Sequence, residues 1–191
     1  MTTRIYVWEF PVRLTHWLNL ISILTLLFTG FYIGAPFIHA TRENQFIMAT
    51  MRFLHFTAAY VFTASLLVRI YWLFAGNKYA RLDQFIPASG ERRKNLTDTL
   101  QYYLFLKKDS THATGHNALA GLTYFLLFII FIVEILTGFA LYSESHVGAT
   151  RTVMGSWLFS ILSTGTVRLI HHLLMWIIVP FMIGHVYLSL L

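Results

Sequence analysis

Residues 168–185 read RLIHHLLMWIIVPFMIGH. Beyond Arg168 no charged residue occurs through Leu191, yet His171, His172 and His185 stand in the run. About 20 apolar residues cross the hydrocarbon core of a bilayer, so residues 166–191 are predicted to span a membrane. An ionisable side chain at that depth is costly and marks function by default.

Working outward, three further charge-poor stretches qualify as spans. They are Trp17 to Ile38, residues 49–75 interrupted by Arg69, and residues 117–142 containing Glu134. Composition agrees. Of the 191 residues 57% are apolar and only 12% charged, against about 25% charged in a soluble domain. Mean hydropathy is +0.62. The expected fold is an all-α integral membrane protein, a four-transmembrane-helix bundle forming one domain over 1–191. The Gly- and Ser-punctuated segment Thr152 to Gly165 is expected to be an interfacial helix or a partly buried loop. No internal repeat is apparent.

The absence of cysteine excludes disulfides, Cys-ligated zinc and Cys-ligated iron–sulfur clusters. The formal charge of +6 fits basic cytoplasmic loops better than nucleic acid. Arg4 and Arg13 precede the first span, and Lys78, Arg81, Arg92, Arg93, Lys94, Lys107 and Lys108 fill the loop 76–115. The remaining loops and span entries hold Arg42, Arg52, Arg151 and Arg168. Both termini and the long loop are therefore expected on the cytoplasmic side. The first span lacks a cleavage site and reads as an uncleaved anchor.

The histidines sort by depth. His39, His112 and His146 fall in loops and read as solvated. His16 opens the first span on the inner side, His55 enters the second from outside, and His171 takes the same outer depth in the fourth. His185 follows His171 by 14 residues, about 21 Å at 1.5 Å per residue. Fourteen positions advance about 1400°, about 40° short of four turns, so both face one way and His172 points aside. Arg69 stands 14 residues after His55, and Gly30 14 after His16. Two pairs, His16 with His185 and His55 with His171, suit two haem b groups: each iron takes two imidazoles, arginines suit propionates, and glycine leaves room for the macrocycle. A proton relay, or histidines that merely tie helices together, is the competing view. A catalytic metal site is disfavoured because no carboxylate or thiol is expected beside either pair.

With these residues in place, the chain resembles the b-type cytochrome subunit of membrane-bound [NiFe] hydrogenases. The motifs are Arg13-Leu14-Thr15-His16-Trp17-Leu18 with Thr29-Gly30, and Arg168-Leu169-Ile170-His171-His172-Leu173 with Trp176, Phe181 and His185. Tyr6-Val7-Trp8-Glu9, Tyr102 to Leu106, Gly115-His116-Asn117 and Thr137 to Tyr142 also match. Members of that family usually continue past the fourth span, so this sequence is expected to be a trimmed or partly ordered version.

The resemblance implies a bacterial inner-membrane anchor for a periplasmic hydrogenase, with a large subunit and an iron–sulfur small subunit as partners. It implies electron transfer from that small subunit, through the outer and then the inner haem, to quinone, with no hydrogen-splitting site of its own. Formate dehydrogenase cytochrome b subunits share the histidine layout. A stand-alone cytochrome b561-type quinone oxidoreductase and a haemless transporter are the competing functions. Arg52 and Arg168 outside, and Arg13 and Arg69 inside, are candidates for propionates or partner docking. His116, Asn117 and Tyr102, with Arg69, are the polar candidates for a quinone site.

Overall fold

The computed structural model describes residues 6–38, 46–109 and 115–190, so Arg4, His39, Arg42 and His112 lie outside the described residues. Its elements are helices α1 (Phe10–Gly34), α2 (Ile47–Ala75), α3 (Gly90–Tyr103), α4 (Ala118–Ser143), α5 (Gly148–Met154) and α6 (Thr164–Leu190). Short 3₁₀ turns occupy Leu82–Gln84 and Ser156–Ser160. Helices α1, α2, α4 and α6 are long and apolar enough to cross a membrane. Helix α1 begins seven residues before the predicted span, because Pro11 favours a first helical turn and Arg13 can snorkel from a helix end. Internal contacts divide the chain into two compact units, 1–124 and 125–191.

In the first unit α1 and α2 form an antiparallel hairpin in which the polarity of α1 is inverted relative to a helix of a soluble protein. The buried stripe of α1 is Thr15, Ser22 and Thr29, joined by Tyr32. Trp17, Ile21, Leu24 and Phe28 stand outward, as a lipid solvent demands. Small side chains let membrane helices approach closely, and hydroxyls bond locally or across the contact. Thr15 Oγ1 donates to the Pro11 carbonyl at 2.8 Å, and Ser65 Oγ donates to the Thr15 carbonyl at 3.2 Å. The facing stripe of α2 is Ala58, Phe62, Ser65, Leu66, Arg69 and Leu73, a spacing of three and four that keeps one helix face inward.

The segment after α2 was expected to be a polar loop; it is folded. Glu9 Oε2 accepts from Trp72 Nε1 and from the Asn77 amide, both at 2.8 Å, tying the start of α1 to the end of α2. Asn77 Oδ1 accepts from the Tyr79 and Ala80 amides at 3.1 Å, and its Nδ2 donates to the Val7 carbonyl at 3.0 Å. Ser89 caps α3 by accepting from the Arg92 amide at 3.2 Å. Arg92 donates to both the backbone and the side-chain oxygen of Gln84, and Asn95 Oδ1 accepts from the Ala118 amide at 2.8 Å. Glu9→Ala removes the acceptor of two partly buried donors and is expected to cost about 2–3 kcal/mol. Glu9→Gln, whose amide oxygen can still accept, should lose less. Thermal unfolding of the detergent-solubilised variants reads the difference.

In the second unit α4 presents Phe131, Thr137, Ala140 and Ser143 as its buried residues, and α6 presents Val167 and Ile178. The segment 152–165 is neither a single interfacial helix nor a plain loop. It breaks at Gly155, whose φ of +119° suits glycine and whose added Cβ would lie 3.3 Å from the Ala140 amide nitrogen. Gly155 thus divides α5 from the 3₁₀ turn where the chain comes close to α4. Pro180 lies within α6; such a residue is tolerated in membrane helices where neighbours satisfy the freed carbonyl.

Candidate functional site

The hairpin brings Thr29 of α1 against His55 of α2, with Thr29 Oγ1 2.9 Å from His55 Nδ1. The threonine hydrogen is already committed, because Oγ1 donates to the Thr25 carbonyl at 2.7 Å. A hydroxyl carries one donor and two acceptor lone pairs, so Thr29 accepts and His55 Nδ1–H donates. A neutral imidazole then carries its lone pair on Nε2. Gly30 borders the ring: a Cβ there would stand 3.4 Å from His55 Cε1, in ordinary contact. The room read from the sequence as a macrocycle slot is bordered by the imidazole itself.

The second unit repeats this arrangement. Thr137 of α4 stands 3.0 Å from His171 Nδ1 of α6 and donates to the Val133 carbonyl at 2.7 Å. The following residue is again glycine, and a Cβ at Gly138 would lie 3.0 Å from His171 Cε1. Here a carboxylate joins, with Glu134 Oε2 2.5 Å from the same Nδ1. That oxygen makes no hydrogen bond and is buried, so the N–H is directed at Thr137 while the carboxylate stands beside it. The expectation that no carboxylate accompanies either histidine pair is therefore corrected. Glu134 lies one helical turn before Thr137 and shares its face, a relation hidden when depth is counted only from helix ends.

The neighbouring His172 is exposed, and its Nδ1 lies 2.7 Å from the Arg168 carbonyl of its own helix. His185 stacks on Phe181, with ring centroids 5.7 Å apart and planes at 13°. His16 is exposed and meets Trp17 edge-on at 5.8 Å. His146 contacts Tyr142 and Ser145 beyond the end of α4.

The arginines divide. Arg13 donates to the Tyr6 hydroxyl at 2.9 Å and covers its ring. Arg168 pairs with Glu144 at 3.7 Å. Arg52 is exposed. Arg69 is only 7% exposed; its guanidinium makes long contacts of 3.4 and 3.5 Å to the Ala80 carbonyl and lies over the Phe85 ring, 5.3 Å from its centroid. His116 meets the same Phe85 at 6.0 Å, Trp8 at 4.5 Å and Tyr124 at 4.7 Å. Asn117 is occupied as a helix cap, its Oδ1 accepting from the Ala120 amide at 2.8 Å. Tyr102 is half-exposed beside Tyr103 on α3.

The family profile described as prokaryotic cytochrome b561 matches residues 7–191. The chain belongs to that family. Its b561-family relatives include the probable Ni/Fe-hydrogenase B-type cytochrome subunit of Cupriavidus necator, 40% identical over 97% of this chain and 78% of the relative. The subunit of that name in Rhizobium leguminosarum is 38% identical, covering 97% of this chain and 80% of the relative. The probable Ni/Fe-hydrogenase 1 B-type cytochrome subunit of Escherichia coli K12 is 37% identical, over 97% and 82%. This family member is accordingly an all-helical, multi-pass membrane b-type cytochrome, a class whose group is haem b.

The donor set fits that group. Haem iron in such proteins takes axial imidazoles through a neutral ring nitrogen, and His55 and His171 each have Nδ1 engaged by a threonine, leaving Nε2 with the lone pair. Among the described residues no cluster of three or more His, Cys, Asp or Glu could hold a bare metal ion. Sequence reasoning quoted Thr29 and Thr137 within motifs but gave neither a role, and it missed the proximity of Glu134. The readable signal was a Thr-Gly dipeptide inside the apolar part of two different spans, facing a histidine on a third and a fourth.

Proposed function

We propose that this chain is the di-haem membrane subunit of a [NiFe] hydrogenase, carrying electrons from an iron–sulfur small subunit on the periplasmic side to quinone. His16 with His185 and His55 with His171 would hold the two haems, a pairing taken from depth along the spans. The observation that carries the reading is the pair of threonine-held imidazoles, in a chain whose relatives bear the hydrogenase cytochrome name. Haem iron bound there supplies one-electron transfer between two oxidation states.

The protein's own residues do the rest. Thr29 and Thr137 hold two imidazoles in one tautomer, and the lipid-facing surface of α1 keeps the hairpin in the bilayer. For quinone, the reading favours the neighbourhood of Phe85, on which Arg69 and His116 converge. A buried cation and an imidazole against the same aromatic ring offer a proton-handling group there. Asn117 and Tyr102 stand at the edge of this proposal, since Asn117 already caps α4. Arg13, Arg52 and Arg168 are the proposed propionate or docking charges, and both termini are placed in the cytoplasm by the basic loop 76–115.

The test is purification of intact complex from membranes. About two b-type haems per chain, with nickel and iron–sulfur proteins in the same fraction, is the expected outcome. A Soret-free protein in intact membrane extract would overturn the cytochrome assignment. Stable company of a formate-oxidising partner would replace the hydrogenase with a formate dehydrogenase.

A further inference from the structure

Two Thr-Gly dipeptides on two helices meet two histidines in the same way, and nothing in the packing of a helix pair requires that. A helical threonine chooses between two χ1 rotamers, and one needed only to narrow a helix contact can lie on a face that leaves the imidazole unengaged. Here both hydroxyl hydrogens are spent on the carbonyl four residues back, at 2.7 Å in each case. Both oxygens therefore face the ring as acceptors, at 2.9 and 3.0 Å from Nδ1. Both following residues are glycines beside the ring: a Cβ at Gly138 would crowd His171 Cε1, and one at Gly30 would just touch His55 Cε1.

We infer that Thr29 and Thr137 are positioning residues of the axial histidines, each fixing the Nδ1–H tautomer and the ring orientation of its partner. This rests on the proposed role of His55 and His171 as haem ligands. A hydrogen bond accepted from the far side of an imidazole raises its basicity as a ligand, and removing such a partner typically weakens metal binding by 10–100-fold. A more basic ligand favours the ferric state, so losing the acceptor raises the midpoint potential. The second site carries a reserve. Glu134 Oε2 already stands 2.5 Å from His171 Nδ1 and can take over its N–H if Thr137 is lost.

The experiment uses the haem-loaded protein purified from membranes and follows haem transfer to excess apomyoglobin, the midpoint potential and the low-spin ferric EPR signal. Thr29→Val keeps the volume and removes the acceptor. Its haem should transfer roughly tenfold faster, with a higher potential and altered g values, while Thr29→Ser should retain wild-type behaviour. Thr137→Val should change the same quantities less than the double variant Thr137→Val with Glu134→Ala. If Thr29→Val matches wild type in all three while His55→Ala still loses a haem, the positioning role is wrong and the ligand reading stands. If His55→Ala loses no haem, the ligand reading fails and the inference with it. Should Thr29→Val not accumulate, Thr29→Ala reads the same three quantities.

Discussion

Replacing His171 with alanine is expected to reduce bound haem from about two per chain to about one, whereas His172→Ala leaves the content unchanged. The two residues are adjacent in sequence and equally able to ligate iron, so only placement separates them. His171 is partly buried and held through Nδ1 by Thr137, with Glu134 alongside. His172 is exposed, with Nδ1 turned to the Arg168 carbonyl of its own helix. A pyridine haemochrome assay on membranes normalised to chain content measures the result. Loss on replacing His172 with retention on replacing His171 would refute the face assignment.

Gly121→Ala is the second large effect. A Cβ at Gly121 would overlap the Gln84 backbone oxygen and lie 3.3 Å from Phe85 Cα and Arg92 Nη2. The first two of these are main-chain atoms, and the Gln84 oxygen is also held by the Arg92 guanidinium, so no side-chain rotation relieves the clash. The 3₁₀ turn at Leu82–Gln84 must separate from the first turn of α4, which also releases Arg92, whose Nε is already buried without a hydrogen-bond partner. Overpacking of this kind costs about 1–3 kcal/mol, a fall of roughly 2–12 °C in Tm for a chain of this size. Gly90→Ala is the control. A Cβ there meets nothing within 4 Å, and alanine favours the α3 helix, so its Tm should hold or rise slightly. Equal behaviour of the two variants would mean that the contact at Gly121 does not constrain the fold.

The spans were legible because lipid imposes one rule over long stretches: charge is excluded and apolar residues run unbroken. Arg69 and Glu134 did not disguise them. Helix α3 was missed because it is polar on nearly every side and its stabilising contacts, such as Asn95 to the Ala118 amide, are long-range in sequence. Its local signals, Ser89 as a cap and Glu91 in the first turn, were readable but weak beside the breakers Pro87 and Gly90. The orientation of His172 along its own helix followed from helical angle alone, since one residue of offset is a turn of about 100°. The acceptors for His55 and His171 could not follow from that angle. They depend on which face of a second helix lies opposite, and Thr29 and Thr137 resemble any other threonine until that face is known.

The hairpin of α1 and α2 carries a practical consequence for anyone extracting this protein. The α1 side of its contact surface is lined by hydroxyls that meet Phe62, Leu66 and Leu73 of α2, while Trp17, Ile21, Leu24 and Phe28 look away from it. Water would therefore drive the exposed outer faces of the pair onto any greasy neighbour. Micelles or nanodiscs must stand in for the removed bilayer at every stage, and a fragment carrying this pair alone would precipitate through its outside before its inside came apart.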